Sequence, residues 1–234
     1  MFIRRQLCRR ARGYIMLTKA VTLLLTVAAC VAVPSNIARP CRVKDNKCVR
    51  DNLAANSRCN PNVRGFLPAE YTINSFKFDT PYFNATYIDN NLVIRNHNSC
   101  FVSEFFFNVD SDAAVLTIDC PDLDFESTRT LIQHSSFQED TTYNYSYRGR
   151  YPLVRLTVNF PHANALDLCS SFTFADVTEL PIFLINPNDE KTENFLATDL
   201  TLLNIYERET FFYRANQLAR YYINSLICNF GCDF

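Results

Sequence analysis

The chain has 234 residues, 20 of them Phe and 12 Tyr, with no Trp and only four Gly, which excludes collagen-like or glycine-rich fibrous character. Its 23 basic and 24 acidic residues look balanced, but six of the basic ones fall in the first 32 positions, where there is no acid. The rest carries 17 basic against 24 acidic residues, a net of −7, which disfavours nucleic acid and anionic membranes as partners.

The first element is an uncharged apolar run from Ala20 to Val33. Its fourteen residues are too few for a bilayer, which takes about 20. Lys19 before it and small residues within and after it suit a signal-peptide core, so 1–32 is expected to be a signal peptide. Cleavage removes Cys8 and Cys30 and leaves one secreted domain over 33–234 with no membrane anchor. Translation from Met1 gives a long basic leader, and translation from Met16 a compact one; both give the same mature end.

From Tyr71 to Ile185 the sequence reads as strands and turns. In YTINSFKF, Tyr71, Ile73 and Ser75 alternate with Thr72, Asn74 and Phe76. In LVRLTVNF, Leu153, Arg155, Thr157 and Asn159 alternate with Val154, Leu156, Val158 and Phe160. Two β-rich runs, Cys100–Val109 and Ala113–Cys120, flank the turn signal Asp110-Ser111-Asp112.

The period then changes. Phe211, Ala215, Leu218, Tyr222 and Leu226 step by three or four, with Phe212, Ala219, Ile223 and Ile227 beside them. Arg208, Arg214, Gln217, Arg220 and Asn224 take the other face, so an amphipathic helix is expected from about Glu207 to Cys228, ending near Gly231. The fold class is α+β: a mostly antiparallel sheet with a long C-terminal helix packed on it.

No nucleophile elbow, phosphate loop, H-E-x-x-H or C-x-x-C is present, so neither an enzyme nor a cofactor is expected. His97, His134 and His162 stand apart at turns and read as surface residues. Asp119, Asp122, Asp124 and Glu126 offer oxygen ligands for a cation such as Ca²⁺, but their spacing matches no EF-hand loop. They read as a solvated turn at a strand end, with no metal. Asn84-Ala85-Thr86 and Asn144-Tyr145-Ser146 are N-glycosylation sequons, and Asn84 and Asn144 are the expected glycan sites.

Eight cysteines follow the leader: Cys41, Cys48, Cys59, Cys100, Cys120, Cys169, Cys228 and Cys232. An even number in an exported chain is a disulfide framework. The short charged loop between Cys41 and Cys48 closes locally. Cys100 and Cys120 fall nearly opposite in their hairpin, within about the 5 Å that cross-strand neighbours share. Cys59, Cys169, Cys228 and Cys232 allow three pairings; the reading leans to Cys169–Cys228 and Cys59–Cys232.

Four strings resemble the fibrohexamerin family, the small glycoprotein subunit of lepidopteran silk fibroin. They are CRVKDNKCVRDNLAANSRCNPNVRGFLPAEY (41–71), DTPYFNATYIDNNLVIRN (79–96), LTIDCPDLDF (116–125) and YYINSLICNFGCDF (221–234). The resemblance covers the whole mature chain. It implies a chaperone-like glycoprotein of the silk-gland lumen, bound non-covalently to fibroin heavy and light chains and aiding their solubility, assembly and secretion. A set of eight internally paired cysteines suits a non-covalent partner. A weaker resemblance, resting on the opening C-x6-C with a β-rich body and a long helix, is to the insect takeout and juvenile-hormone-binding proteins. It implies a strongly curved sheet around the helix and, as the alternative function, carriage of a small apolar ligand lined by residues such as Phe211, Leu218 and Tyr222.

Overall fold

Asp45 starts the first regular element: its carboxylate accepts from the Cys48 N–H at 3.0 Å and caps α1 (Asn46–Asn56). The charged loop read between Cys41 and Cys48 therefore already turns into helix. The computed structural model describes residues 40–80, 84–108, 110–198 and 200–232, without the side chains of 198–210. The leader with Cys8, Cys30 and both candidate start sites lies outside the described residues, as does the Arg208 side chain.

Seven strands follow: β1 (Glu70–Thr80), β2 (Ala85–Arg95), β3 (Phe101–Asn108), β4 (Ala113–Gln133), β5 (Thr141–Pro161), β6 (Phe172–Val177) and β7 (Ile182–Pro187). All pair antiparallel, in an open, curled sheet. The long β4–β5 ribbon is its spine. The N-terminal half of β4 pairs with β3 and its C-terminal half with β2; β5 pairs with β7 near its start and with β6 near its end.

The spine bends because each of its strands changes face midway. In β4 the core face holds Ala114, Leu116, Ile118 and Cys120, and then Leu123, Phe125, Ser127 and Arg129. The switch falls at Asp122, whose φ is 53°. Opposite it, β5 carries Pro152, which has no N–H to donate, and its core face passes from Tyr151 to Val154. In β2 the same switch occurs at Asn91, with φ 51°. Left-handed residues bend a strand; at Asn91 the register against β4 also slips by one residue, a bulge, whereas the β4–β5 register runs unbroken through Asp122. This also corrects the strict alternation read in β1. Tyr71 and Ile73 face inward, but so do Phe76 and Phe78, whereas Ser75 is exposed.

Two helices close the core. α2 (Glu190–Thr198) stacks Phe195 on Tyr143, and α3 (Leu200–Leu226) starts earlier than the pattern from Glu207 suggested. Phe211, Ala215, Leu218, Ala219, Tyr222, Ile223 and Ile227 are buried, as the helical spacing predicts. Arg214 departs from that reading. It was placed on the solvent face, yet it is 2% exposed and donates to Asp89 at 2.5 Å. Asp89 and Arg129, both 0% exposed, pair at 2.7 Å, and Ser127 adds a donor to the same carboxylate at 2.8 Å. The Arg129 guanidinium lies 3.8 Å from the Tyr147 ring centroid. Gly149 is the one glycine this layer requires, because a Cβ there would collide with the Tyr147 hydroxyl.

The disulfides are Cys41–Cys48, Cys100–Cys120, Cys59–Cys228 and Cys169–Cys232. The last two correct the expected Cys169–Cys228 and Cys59–Cys232. An isolated antiparallel bridge between Asn60 and Asn229 sets Cys59 beside Cys228, with Cα atoms 5.6 Å apart. Gly231, at φ 73°, lies in the turn that brings Cys232 within 5.4 Å of Cys169. Arg50 of α1 fastens the same end, donating to the carbonyls of Ile227 and Leu226 at 3.0 and 3.2 Å.

His97 also departs from the surface position expected: in the turn between β2 and β3 it is fully buried, with Nδ1 2.8 Å from the Tyr71 hydroxyl. Burial pushes its ring down from 6.5 to about 3.

Two predictions follow from these buried charges. Burial opposes ionisation of Asp89, but Arg129 and Arg214 outweigh it and hold the carboxyl well below the usual range. Asp89→Asn strands two guanidiniums and is expected to cost about 3–5 kcal/mol in urea unfolding. Arg214→Met leaves the Asp89–Arg129 pair intact and costs distinctly less; the reverse order would refute this account. His97 binds a proton only in the unfolded chain between pH 6.5 and about 3. Stability therefore falls as pH drops through that window, by about 1.4 kcal/mol per pH unit from this group. His97→Phe should flatten the slope of unfolding free energy between pH 6.5 and 4.5, and equal slopes in the two proteins would count against it.

Candidate functional site

The acidic run is the first candidate, and the register of β4 decides it. Asp119, Asp122, Asp124 and Glu126 lie along β4, not in a terminal turn. Antiparallel pairing brings arginines from β5 across from them: Asp119 meets Arg155 at 2.7 Å, Asp122 meets Arg150 at 3.3 Å and Asp124 meets Arg148 at 2.7 Å. Glu126 takes Arg95 of β2 at 2.8 Å, and Arg95 also holds Glu70 at 2.7 Å. Hydrogen bonds to Asp124 and Asp119 raise the Arg148 and Arg155 guanidiniums above their ordinary values. The run is thus one side of a cross-strand charge ladder on the outer face, not a cation cradle. The arginine spacing in β5 carried this signal once the β4–β5 register is known.

Among the histidines, His134 sits in the most connected network. Its Nε2 lies 2.8 Å from Thr86 Oγ1 and its Nδ1 2.7 Å from Asp140. This has the outline of a nucleophile–base–acid chain. However, Thr86 is buried and donates its hydroxyl proton to Asp79 at 2.6 Å, so His134 receives no proton from it. The network instead ties the β4–β5 loop to the β1–β2 end; the hydrogen bond from His134 lowers the Asp140 carboxyl. His162 is exposed, 3.6 Å from Asp112. His97 lies close to Cys100 and Cys120, but sulfurs joined in a disulfide are not the thiolates a metal takes.

The two sequons differ. Asn84 is exposed in a tight turn at φ 48°, its amide donating to the His134 carbonyl at 3.0 Å. Asn144 lies mid-sheet and half-buried, opposite Thr130, whose hydroxyl donates to its Oδ1 at 2.9 Å.

Exposed apolar side chains gather along β6 and β7, beyond the charge ladder. Phe172 and Phe174 of β6 pack on Phe212 of α3, with ring centroids 5.7 and 5.9 Å apart, and all three remain partly open to solvent. Leu180, Ile182 and Leu184 are 89, 61 and 64% exposed. Sequence reasoning missed this strip, because its Phe and Ile residues look the same as core residues until the sheet is folded. Inside the protein, the space between sheet and α3 lined by Tyr71, Phe76, Phe125, Arg214 and Leu218 amounts to about 10 Å³. Phe211, Leu218 and Tyr222, expected around a ligand in the carrier reading, are packed core residues.

The family model of Fibroin P25 matches residues 37–232 of the chain. A curated relative, Fibrohexamerin of Galleria mellonella, is 63% identical over 216 residues, which cover 92% of this chain and 99% of the relative. Among solved structures, Takeout 1 of Epiphyas postvittana aligns at TM-score 0.43 and 9% identity, over 81% of this chain and 89% of that one. Lipopolysaccharide binding protein aligns at TM-score 0.29 and 12% identity, over 79% of this chain and 39% of its own.

The ladder makes a prediction about cations. With each of the four carboxylates held by an arginine, millimolar Ca²⁺ should leave the thermal midpoint of the protein where chelator leaves it. A reproducible calcium-dependent rise in that midpoint would show that the ladder opens to bind the ion.

Proposed function

The chain belongs to the Fibroin P25 family, and from that premise we propose that it is a secreted, non-catalytic glycoprotein that associates non-covalently with the heavy and light chains of silk fibroin. It keeps those chains soluble and aids their assembly and secretion. The observation that carries the non-covalent part is the cysteine arrangement: all eight cysteines from Cys41 to Cys232 close within the chain, so none of them is free to link to another subunit. The apolar strip along β6 and β7 supplies contact area of the kind a hydrophobic association uses.

Residues 1–32 act as the signal peptide and 33–234 as one secreted domain of the silk-gland lumen. Asn84 carries a glycan at an open turn. Asn144 receives one before β5 pairs, since in the formed sheet it is half-buried within a paired strand.

The second reading is carriage of a small apolar ligand. Such sites enclose roughly 300–1,000 Å³, whereas among the described residues the pocket between the sheet and α3 lined by Phe76, Phe125 and Leu218 is about 10 Å³, room for no more than a water molecule. The association reading is therefore preferred.

Gel filtration of silk-gland extract without reductant is expected to place this protein with both fibroin chains. Reduction-free SDS electrophoresis should then release it as a single chain while heavy and light chains stay linked. Elution of the native protein alone would defeat the proposal.

A further inference from the structure

A sheet that is not closed must deal with its edges, because unpaired N–H and C=O groups recruit other strands. Three of the four edges here are blunted by recognisable devices. β1 carries Glu70, Lys77 and Asp79 on its exposed face. β3 has a register shift between Val102 and Glu104, a charge at Glu104, and its Val102 carbonyl taken by the Lys44 N–H at 2.9 Å. β6 is covered by α3, since Thr173 N–H donates to Asn216 at 2.9 Å and Phe212 packs over Phe172 and Phe174; it also carries Asp176.

β7 has none of these. Its six residues, Ile182 to Pro187, include no charge. One side pairs with β5, and among the described residues no backbone hydrogen bond reaches the other side. Ile182 and Leu184, alternate residues on one face, are 61 and 64% exposed. The nearest arginines, Arg148 and Arg150, stand opposite Leu184 and Ile182 on β5 but are already held by Asp124 and Asp122.

We propose that the outer edge of β7 is a strand-addition site that takes an extended, uncharged, apolar segment of a partner chain. The inference rests on the association reading above and names how that association is made. The occupant follows from the chemistry of the edge. Free backbone groups call for an extended chain that supplies donors and acceptors in register. Exposed Ile182 and Leu184 call for apolar side chains at alternate positions, about 7 Å apart along the strand. Arg148 and Arg150, the cations beside the edge, are held by Asp124 and Asp122, and the charges that flank it, Glu179 and Glu190, are acidic, so an acidic segment is not favoured. Pro181 and Pro187 bracket the edge and limit the added strand to about five residues. A second copy fits less well, because each carries a net charge of −7 over 33–234 and copies repel.

The test uses the full secreted protein and a labelled six-residue peptide of alternating Val and Thr, followed by fluorescence anisotropy. Two analogues, N-methylated at odd or at even positions, remove the donors on one edge of the peptide or the other. The peptide is expected to bind; one methylation register abolishes binding and the other leaves it. Leu184→Lys should weaken binding at least tenfold, with circular dichroism and thermal midpoint unchanged because Leu184 lies outside the core. Thr72→Lys on β1 should have no effect. Absence of binding, equal binding of both analogues, or an unaffected Leu184→Lys variant each overturns the site. So does a dimer of the wild-type protein that Leu184→Lys dissociates, which would make a second copy the occupant. Wild type that co-purifies with fibroin chains while Leu184→Lys does so equally well rejects the edge and keeps the association. Wild type that does not co-purify rejects the association itself.

Discussion

Asp89 and its two arginines are the joint on which this molecule turns. The carboxylate comes from β2, Arg129 from β4 and Arg214 from α3, so one buried ion group links two strands of the sheet to the helix that covers them. Desolvating three charges is expensive, and an apolar core of the same volume is often as stable. Directional hydrogen bonds supply something an apolar contact does not: a defined rotation and height of α3 over the sheet. Aromatic rings enclose the group, with Tyr147 beneath Arg129 and Phe125 and Phe78 near Arg214, so water is excluded and misplacement of α3 leaves a charge bare.

Once α3 is placed, its distal end follows. Tyr222 donates to the Cys100 carbonyl, Arg50 holds the last helical carbonyls, and Cys228 meets Cys59. Cys59–Cys228 spans 169 residues, so it ties the entry of the chain to its exit and restricts the unfolded ensemble more than the local Cys41–Cys48 bridge. All eight cysteines from Cys41 to Cys232 are closed within the chain in this way.

That surface is divided. The middle of the outer face is a ladder of mutually paired arginines and carboxylates, while the apolar side chains collect at one margin along β6 and β7. The division follows from the bent spine. The bulge at Asn91 and the left-handed backbone at Asp122 turn the sheet, and α3 lies against the β6 edge, covering it while the edge of β7 stays open. A soluble protein carries such an edge safely only if it is short and bracketed, and here Pro181 and Pro187 bracket it.

Local pattern was enough to predict the elements with a strong period. The alternation in LVRLTVNF, the buried stripe from Phe211 to Ile227, the Cys100–Cys120 hairpin and the α+β class were all legible, because each depends on neighbours within one or two elements. The membership of the chain was legible too, in long strings such as DTPYFNATYIDNNLVIRN. What stayed hidden depended on partners distant in sequence. Arg214 reads as a solvent-facing helix residue until Asp89, 125 positions away, is brought beneath it. His97 reads as a turn histidine until Tyr71 of β1 and Tyr221 and Tyr222 of α3 pack against it. DCPDLDFE reads as a solvated turn at a strand end until β5 lays its arginines alongside, and the Cys59–Cys228 pairing waits on where the end of α3 docks. Composition and spacing describe what a residue prefers; only the tertiary register decides which charge meets which, and which strand edge is left without a partner.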